Sequence, residues 1–309
     1  MTASAKPTRD DVLRARETIG DRLPRTPTLS SRTLNARLKC ELFQRTGSFK
    51  ARGALNKLSA LTAEEKTNGV IAISAGNHAQ AVAYAAAAEG VDALVVMWQG
   101  ASEQKIEATR GYGAAVDLEA KNPTEAFERL NTLIADTGRT LVHPFDDPVV
   151  IAGAGTVGLE IEEDAPDADA VVVPVGGGGL IAGIQTALAN RMRVIAVEPE
   201  TSRALHAAAE NGKPTPVTPT SIADGLNAPF AGALPLAIAK DLERVLVTEQ
   251  EIEHAFRTLY ARAKLAAEPA GAAAAAAWLA GKIDAQNPVL LVSGGNVAAQ
   301  TAAAILARP

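Results

Sequence analysis

Residues 171–182 read Val171-Val172-Val173-Pro174-Val175-Gly176-Gly177-Gly178-Gly179-Leu180-Ile181-Ala182: an unbroken apolar run, four glycines, then the start of an apolar helical stretch. A short β-branched run without polar alternation predicts a strand buried on both faces. Four successive glycines between buried elements cost backbone entropy, which predicts a turn where the chain must approach something closely. N–H groups of such a turn, opening a helix, converge on an anion, and phosphate is the natural guest. A rival reading exists. Gly177-x-Gly179-x-x-Ala182 also fits the degenerate dinucleotide fingerprint, with Glu198 at the end of the next strand, where a ribose-binding acid belongs.

Outward from this unit the same pattern repeats. Short β-branched runs at Val70–Ile73, Ala93–Met97, Ala115–Leu118, Thr140–Val142, Val194–Val197, Val245–Val247 and Val289–Val292 predict further strands. Between them lie helix-forming stretches at Asn77–Ala88, Ser102–Gly111, Thr124–Thr137, Val149–Glu163, Leu180–Ala189, Glu249–Leu265 and Ala270–Ala280. Alternation of this kind predicts an α/β fold of open, twisted, mostly parallel sheets flanked by helices. Ligands in such sheets bind at the carboxyl ends of strands. Four turns at that position carry unusual chemistry: Ser74-Ala75-Gly76-Asn77-His78, Gly176–Gly179, Glu198-Pro199 and Ser293-Gly294-Gly295-Asn296. No internal repeat is present, and the Pro/Thr-rich stretch Asn211–Pro219 reads as a surface loop.

Bulk composition narrows the function classes. The 309 residues are 47% hydrophobic, 21% charged and only 4% aromatic, with alanine-rich runs at Ala81–Ala88 and Ala270–Ala280. A formal net charge of -5 gives no broad basic field for nucleic acid or an anionic membrane, which favours small-molecule chemistry. No apolar run approaches the roughly 18 residues needed to span a bilayer, and Met1–Pro7 lacks the basic and apolar regions of a signal peptide, so a cytoplasmic location is expected. The single Cys40 forms no internal disulfide, and four scattered histidines argue against a structural zinc site.

Lys50 stands in Arg45-Thr46-Gly47-Ser48-Phe49-Lys50-Ala51-Arg52-Gly53, just ahead of the helix-forming run Ala54–Leu61. Alone it reads as a solvated surface lysine. Beside a phosphate cradle it reads as the amine that an aldehyde cofactor requires. Ser74–His78 offers side chains and free N–H groups to a carboxylate or a ring oxygen, though a plain helix cap explains it equally well locally. Ser293 presents a hydroxyl to a ring nitrogen in the same sense.

Together and in this order, these segments resemble the fold-type II family of pyridoxal-phosphate enzymes, specifically its serine/threonine dehydratase and serine racemase branch. The resemblance runs over nearly the whole chain. Cys40–Lys50 is similar to the family's lysine segment, Ser74–Gln80 to its asparagine loop, Gly176–Gly179 to its phosphate loop and Ser293–Asn296 to its ring-nitrogen turn. The resemblance implies a tryptophan synthase β-subunit-like arrangement with a small domain of residues 48–144, a large cofactor-binding domain of residues 1–47 plus 145–309, and the cofactor in the cleft. It implies pyridoxal 5'-phosphate held by Lys50 as a Schiff base, with Phe49 against the ring, Asn77 on the ring oxygen, Gly176, Gly177, Gly178 and Gly179 on the phosphate, and Ser293 on the pyridine nitrogen. Ser74, Ala75, Gly76 and His78 then hold the substrate carboxylate.

A hydroxyl at the ring nitrogen does not enforce a protonated ring, which favours β-elimination over transamination. The reaction implied is dehydration and deamination of L-threonine, L-serine or both to a 2-oxo acid and ammonia. The alternatives within the family are serine racemase and 3-hydroxyaspartate dehydratase. Similar racemases carry a proton-donating serine where this chain has Ala75, and a methyl group donates no proton. Two departures from the family pattern stand out. Leu34–Lys39 is several residues shorter than usual, which predicts a truncated strand. The later acid of the metal-activated relatives corresponds to Ala204, so no metal is expected and Glu198 and Glu268 remain partial ligands only. The chain stops soon after its final turn, which implies no carboxy-terminal regulatory domain, and family analogy gives a homodimer or homotetramer. Outside the family, the rivals are a nicotinamide-dependent oxidoreductase using Gly177–Ala182 and Glu198, and a cofactor-binding module without turnover.

Overall fold

The computed structural model describes residues 5–308, so Met1–Ser4 of the amino-terminal reading lie outside the described residues. In chain order the elements are α1 Arg9–Ile19, β1 Thr28–Ser31, β2 Ala36–Cys40, α2 Lys50–Ser59, α3 Ala63–Asn68, β3 Val70–Ile73, α4 Asn77–Glu89, β4 Ala93–Trp98, α5 Glu103–Gly111, β5 Ala115–Ala120, α6 Pro123–Thr137, β6 Thr140–Leu141 and α7 Pro148–Asp164. They continue with β7 Ala170–Pro174, α8 Gly179–Leu188, β8 Arg193–Pro199, α9 Ala204–Asn211, α10 Ala233–Ala239, β9 Glu243–Val247, α11 Glu249–Thr258, α12 Pro269–Leu279, β10 Pro288–Val292 and α13 Ala299–Leu306.

Every strand expected from the β-branched runs is present. The strands form two sheets, one of six strands in the order β1-β2-β10-β7-β8-β9 and one of four in the order β5-β4-β3-β6. All pairings are parallel except β1 with β2, which run antiparallel. Buried β7 and β10 are apolar at every position, as strands covered on both faces must be. Helix α7 packs on α1, α2 and α8. Apolar clusters fill both faces of each sheet.

Three local readings change in the structure. The segment ahead of the lysine is not a lost strand: β2 keeps five residues, pairs with both β1 and β10, and is joined to β1 by a tight turn with Asn35 at φ +48°. The short spacing therefore removes loop rather than ladder. Lys50 is the first residue of α2 instead of lying ahead of the helix. The long helix expected over Glu249–Leu265 stops being α-helical at Thr258 and finishes as a π-turn over Leu259–Ala263.

A buried ion-pair network lies close behind the lysine. Arg52, 2% exposed, donates from Nε and Nη2 to the two carboxylate oxygens of Glu41, each at 2.8 Å, and from Nη1 to Glu160 Oε1 at 2.7 Å. Lys39, fully buried, donates to Glu160 Oε2 at 2.6 Å. Burial opposes the Arg52 charge, but Glu41 and Glu160 more than compensate and hold the guanidinium protonated. Each charge has a partner, so the network ties β2, the short turn that follows it, α2 and α7 together without an orphan ion.

Candidate active site

The segment 47–49 and the turn 293–295 are held together by backbone hydrogen bonds. Phe49 N–H donates to Ser293 O at 3.1 Å, Gly295 N–H donates to Gly47 O at 2.9 Å, and Ser48 bridges Gly294. This places Lys50 and Ser293 on one wall of a cavity of about 590 Å³. Ser74–His78, Gly176–Gly179, Phe145, Phe230, Asp224 and Glu268 line the same cavity. Every residue singled out from the sequence for the site, from Phe49 and Lys50 to Ser293, lines this one space.

Lys50 Nζ donates to Pro144 O at 2.7 Å and lies 5.2 Å from the centre of the Phe49 ring. Desolvation pulls its ammonium down to about 8, so about a tenth of the amine is neutral at pH 7, against well under a thousandth for an ordinary lysine. Among the described residues no carboxylate pairs with it, which distinguishes it from buried Lys39. A neutral amine that donates one hydrogen to a carbonyl keeps its lone pair for a carbonyl carbon or a proton.

The glycine turn is required sterically. Gly178 stands at φ +93°, and an added Cβ would fall 2.6 Å from Pro235 Cβ; a Cβ on Gly177 would fall within 2.5 Å of the Phe145 ring. Phe145 itself is wedged edge-on against His143 at 4.7 Å and against Phe230 at 5.6 Å. With side chains excluded, the N–H groups of Gly176, Gly177 and Gly178 donate to no acceptor among the described residues, and α8 begins at Gly179 with its own free N–H groups. That is an anion cradle at a helix amino terminus.

Asn77 opens α4, and its amide donates to Glu268 Oε1 at 2.8 Å and accepts from Asn296 Nδ2 at 2.8 Å. Glu268, 3% exposed, is raised to about 8 by desolvation, with Asp224 adding to the effect. Ser293, 4% exposed, offers its hydroxyl to the same space. His78 differs from the expectation in one respect. Its imidazole is buried and hydrogen-bonded to Val142 O at 2.8 Å, and desolvation with the nearby Lys50 pushes it down to about 3. The ring is therefore neutral, and what residue 78 offers a carboxylate is its backbone N–H in the first turn of α4. Ser74 Oγ accepts from Gly76 N–H at 3.1 Å and keeps its own hydroxyl hydrogen.

The fingerprint acid of the nicotinamide reading faces elsewhere. Glu198 is fully buried and accepts from Leu205 N–H at 2.7 Å, His206 N–H at 3.0 Å and His206 Nδ1 at 2.5 Å. It caps α9 and does not line the cavity, so it contacts no ribose there, nor does it share a ligand site with Glu268. Sequence reading named Asn296 only as the end of its turn, with no role of its own, and did not single out Lys105. Lys105 on α5 pairs with Asp224, joining the element after β4 to the turn before α10 across the cavity.

The chemistry of this donor set fits pyridoxal phosphate: an unpaired, desolvated amine, an anion cradle, an amide and a hydroxyl facing one space, and aromatic walls. Comparisons agree. The chain is 45% identical over 308 residues to the catabolic L-threonine dehydratase of Staphylococcus aureus (strain USA300), covering 93% of this chain and 88% of that protein. The solved threonine deaminase of T.th. superposes with a TM-score of 0.88 at 40% identity, covering 94% of this chain and 99% of that one. Maize serine racemase superposes with a TM-score of 0.90 at 33% identity over 96% of each chain. The model of the pyridoxal-phosphate dependent enzyme family matches residues 20–295, from the end of α1 to the last turn of the site, and the chain belongs to that family.

Proposed function

We propose that this protein is a pyridoxal-phosphate-dependent ammonia-lyase that converts L-threonine, L-serine or both to a 2-oxo acid and ammonia. One observation carries the reading: a lysine amine brought down to about 8 shares its cavity with the glycine N–H cradle. The similarity to threonine dehydratases and deaminases supports the substrate class.

When bound, the cofactor supplies an aldehyde for amines and a ring that draws electron density from the α-carbon. The chain's residues do the rest. Gly176–Gly179 hold the phosphate through N–H groups that no side chain obscures. Phe49 would lie against the ring, Asn77 would offer its amide to the ring oxygen, and Ser293 would offer its hydroxyl to the ring nitrogen, a partner that does not enforce a protonated ring. The Ser74 hydroxyl and the N–H groups at the start of α4, those of Asn77 and His78 among them, would grip the substrate carboxylate, with Ala75 and Gly76 shaping the same turn. Lys50 would hold the aldehyde and, once its amine is free, would be the group placed to take the substrate's α-proton; Pro144 O keeps it aimed, and burial raises the share of it that is neutral. Ala75 favours the lyase over a racemase, because its methyl group cannot return a proton to the opposite face.

The two sheets support a division into a small domain of residues 48–144 and a large domain of residues 1–47 plus 145–309, with the cavity between them. The lone Cys40, whose thiol burial pushes up to about 12, suits a reducing cytoplasm. No helix among the described residues is long and apolar enough to cross a membrane. Family analogy supports a homodimer or homotetramer. The deciding experiment measures 2-oxo acid release from L-threonine, L-serine, D-serine and 3-hydroxyaspartate by wild type and Lys50→Ala. Turnover of L-threonine or L-serine that vanishes with Lys50 is expected; turnover that survives in Lys50→Ala sinks the reading.

A further inference from the structure

We propose that Asn296 is a positioning residue that fixes which way round the Asn77 amide sits, so that Asn77 presents an N–H to the cavity instead of a carbonyl oxygen. The inference rests on the reading of this cavity as a pyridoxal-phosphate site with Asn77 at the ring oxygen. The two ends of an amide have nearly the same shape, and only their partners distinguish them. Asn296 Nδ2 lies 2.6 Å from the backbone oxygen of Thr46, a group that only accepts, which identifies that end of Asn296 as the donor. Its other hydrogen goes to the Asn77 atom 2.8 Å away, which must then be Oδ1. The Nδ2 of Asn77 is turned the other way, gives one hydrogen to Glu268 Oε1 at 2.8 Å and has one left.

Glu268 cannot set this direction alone. Burial raises its carboxyl to about 8, so near neutrality it is mostly protonated and is able to accept from an amide N–H or donate to an amide oxygen. The backbone carbonyl of Thr46 has no such freedom, and it anchors the series. The local chain is shaped to keep Asn296 in place. Gly47 stands at φ +73°, and an added Cβ would lie 3.0 Å from Asn296 Cγ. Asn296 does not itself line the cavity, so it acts through Asn77.

A ring oxygen carrying negative charge is stabilised by an N–H and repelled by a carbonyl oxygen. Asn296→Asp keeps the shape but replaces the donor by acceptors, which turns the Asn77 amide over. Asn296→Ala leaves Asn77 free to choose. The test titrates apo-protein with pyridoxal phosphate, records the visible band of the holoenzyme against pH, and measures the melting temperature of each apo-variant. Asn296→Asp is expected to weaken cofactor binding by roughly 10–100-fold, the loss of about one charge-assisted hydrogen bond, and to displace the pH dependence of the band. Asn296→Ala should show a smaller change of the same sign and carries the test alone if the aspartate variant does not fold. Should these variants melt earlier yet keep the affinity and the band of wild type, Asn296 merely anchors its turn and the inference is overturned. Asn77→Ala separates the two levels: if it changes neither affinity nor band, the reading of the site itself fails, whereas a changed Asn77→Ala beside an unchanged Asn296 series removes only the inference.

Discussion

Gly177→Ala perturbs the cradle through a single methyl group. The new Cβ would fall within 2.5 Å of the Phe145 ring, against an ordinary contact beginning at 3.4 Å, so the ring or the loop must retreat by about 1 Å. Phe145 has little room to give: it is 9% exposed and held edge-on between His143 and Phe230. Overpacking of this size costs about 1–3 kcal/mol in fold stability. If the loop yields instead, at least one N–H leaves the phosphate, a loss of about 1.5–3 kcal/mol that corresponds to roughly 10–150-fold in cofactor affinity. Urea denaturation of apo-protein reads the first cost and pyridoxal phosphate titration the second. Phe145→Ala combined with Gly177→Ala removes the obstacle, and the double variant should bind the cofactor more tightly than Gly177→Ala alone. Wild-type affinity and stability in Gly177→Ala, or no recovery in the double variant, would refute the steric argument.

Apo-protein should develop its visible band with pyridoxal phosphate at a rate that climbs about tenfold per pH unit below 8 and levels off above, because only the neutral Lys50 amine condenses; stopped-flow absorbance across pH 6–10 checks this, and a flat profile removes the claim of a depressed lysine. The same depression has a stability counterpart. The unfolded chain binds a proton that the folded chain has lost between about 8 and the ordinary 10.5, so the cost of burying Lys50 is fully present below 8 and fades as pH rises to 10.5. Lys50→Met should thus stabilise the apo-protein more at pH 7 than at pH 10. Glu268 behaves oppositely: the folded state keeps a proton from 4.5 up to about 8, so stability present below 4.5 is lost as pH rises through that window, and Glu268→Gln should gain on wild type in melting temperature between pH 5 and pH 8. Arg52→Ala leaves Glu41 and Glu160 buried without their partner and should cost about 3–5 kcal/mol in urea denaturation; a loss under about 1 kcal/mol would show that water replaces the guanidinium.

The sequence by itself determined the alternation of strands and helices, since burial on both faces of a parallel sheet leaves an apolar signature of the right length at Val171–Val175 and Val289–Val292 whatever the partner strands are. It also marked the glycine turn, because four glycines have no local reason to follow a buried strand. Resemblance then joined Lys50, Asn77 and Ser293 to it. Tertiary structure decided the contacts that have no local period. Thr28–Ser31 and Ala36–Cys40 lack the apolar run that marked the other strands, and are held in the sheet where β10 offers β2 an edge. Arg52, Lys39, Glu41 and Glu160 look like surface charges until folding buries them against one another. The direction of the Asn77 amide depends on Glu268, 191 positions away, and on Asn296, 219 positions away. Hydrogen-bond partners at such separations are chosen by how two sheets pack, and no pattern of neighbouring residues encodes that choice.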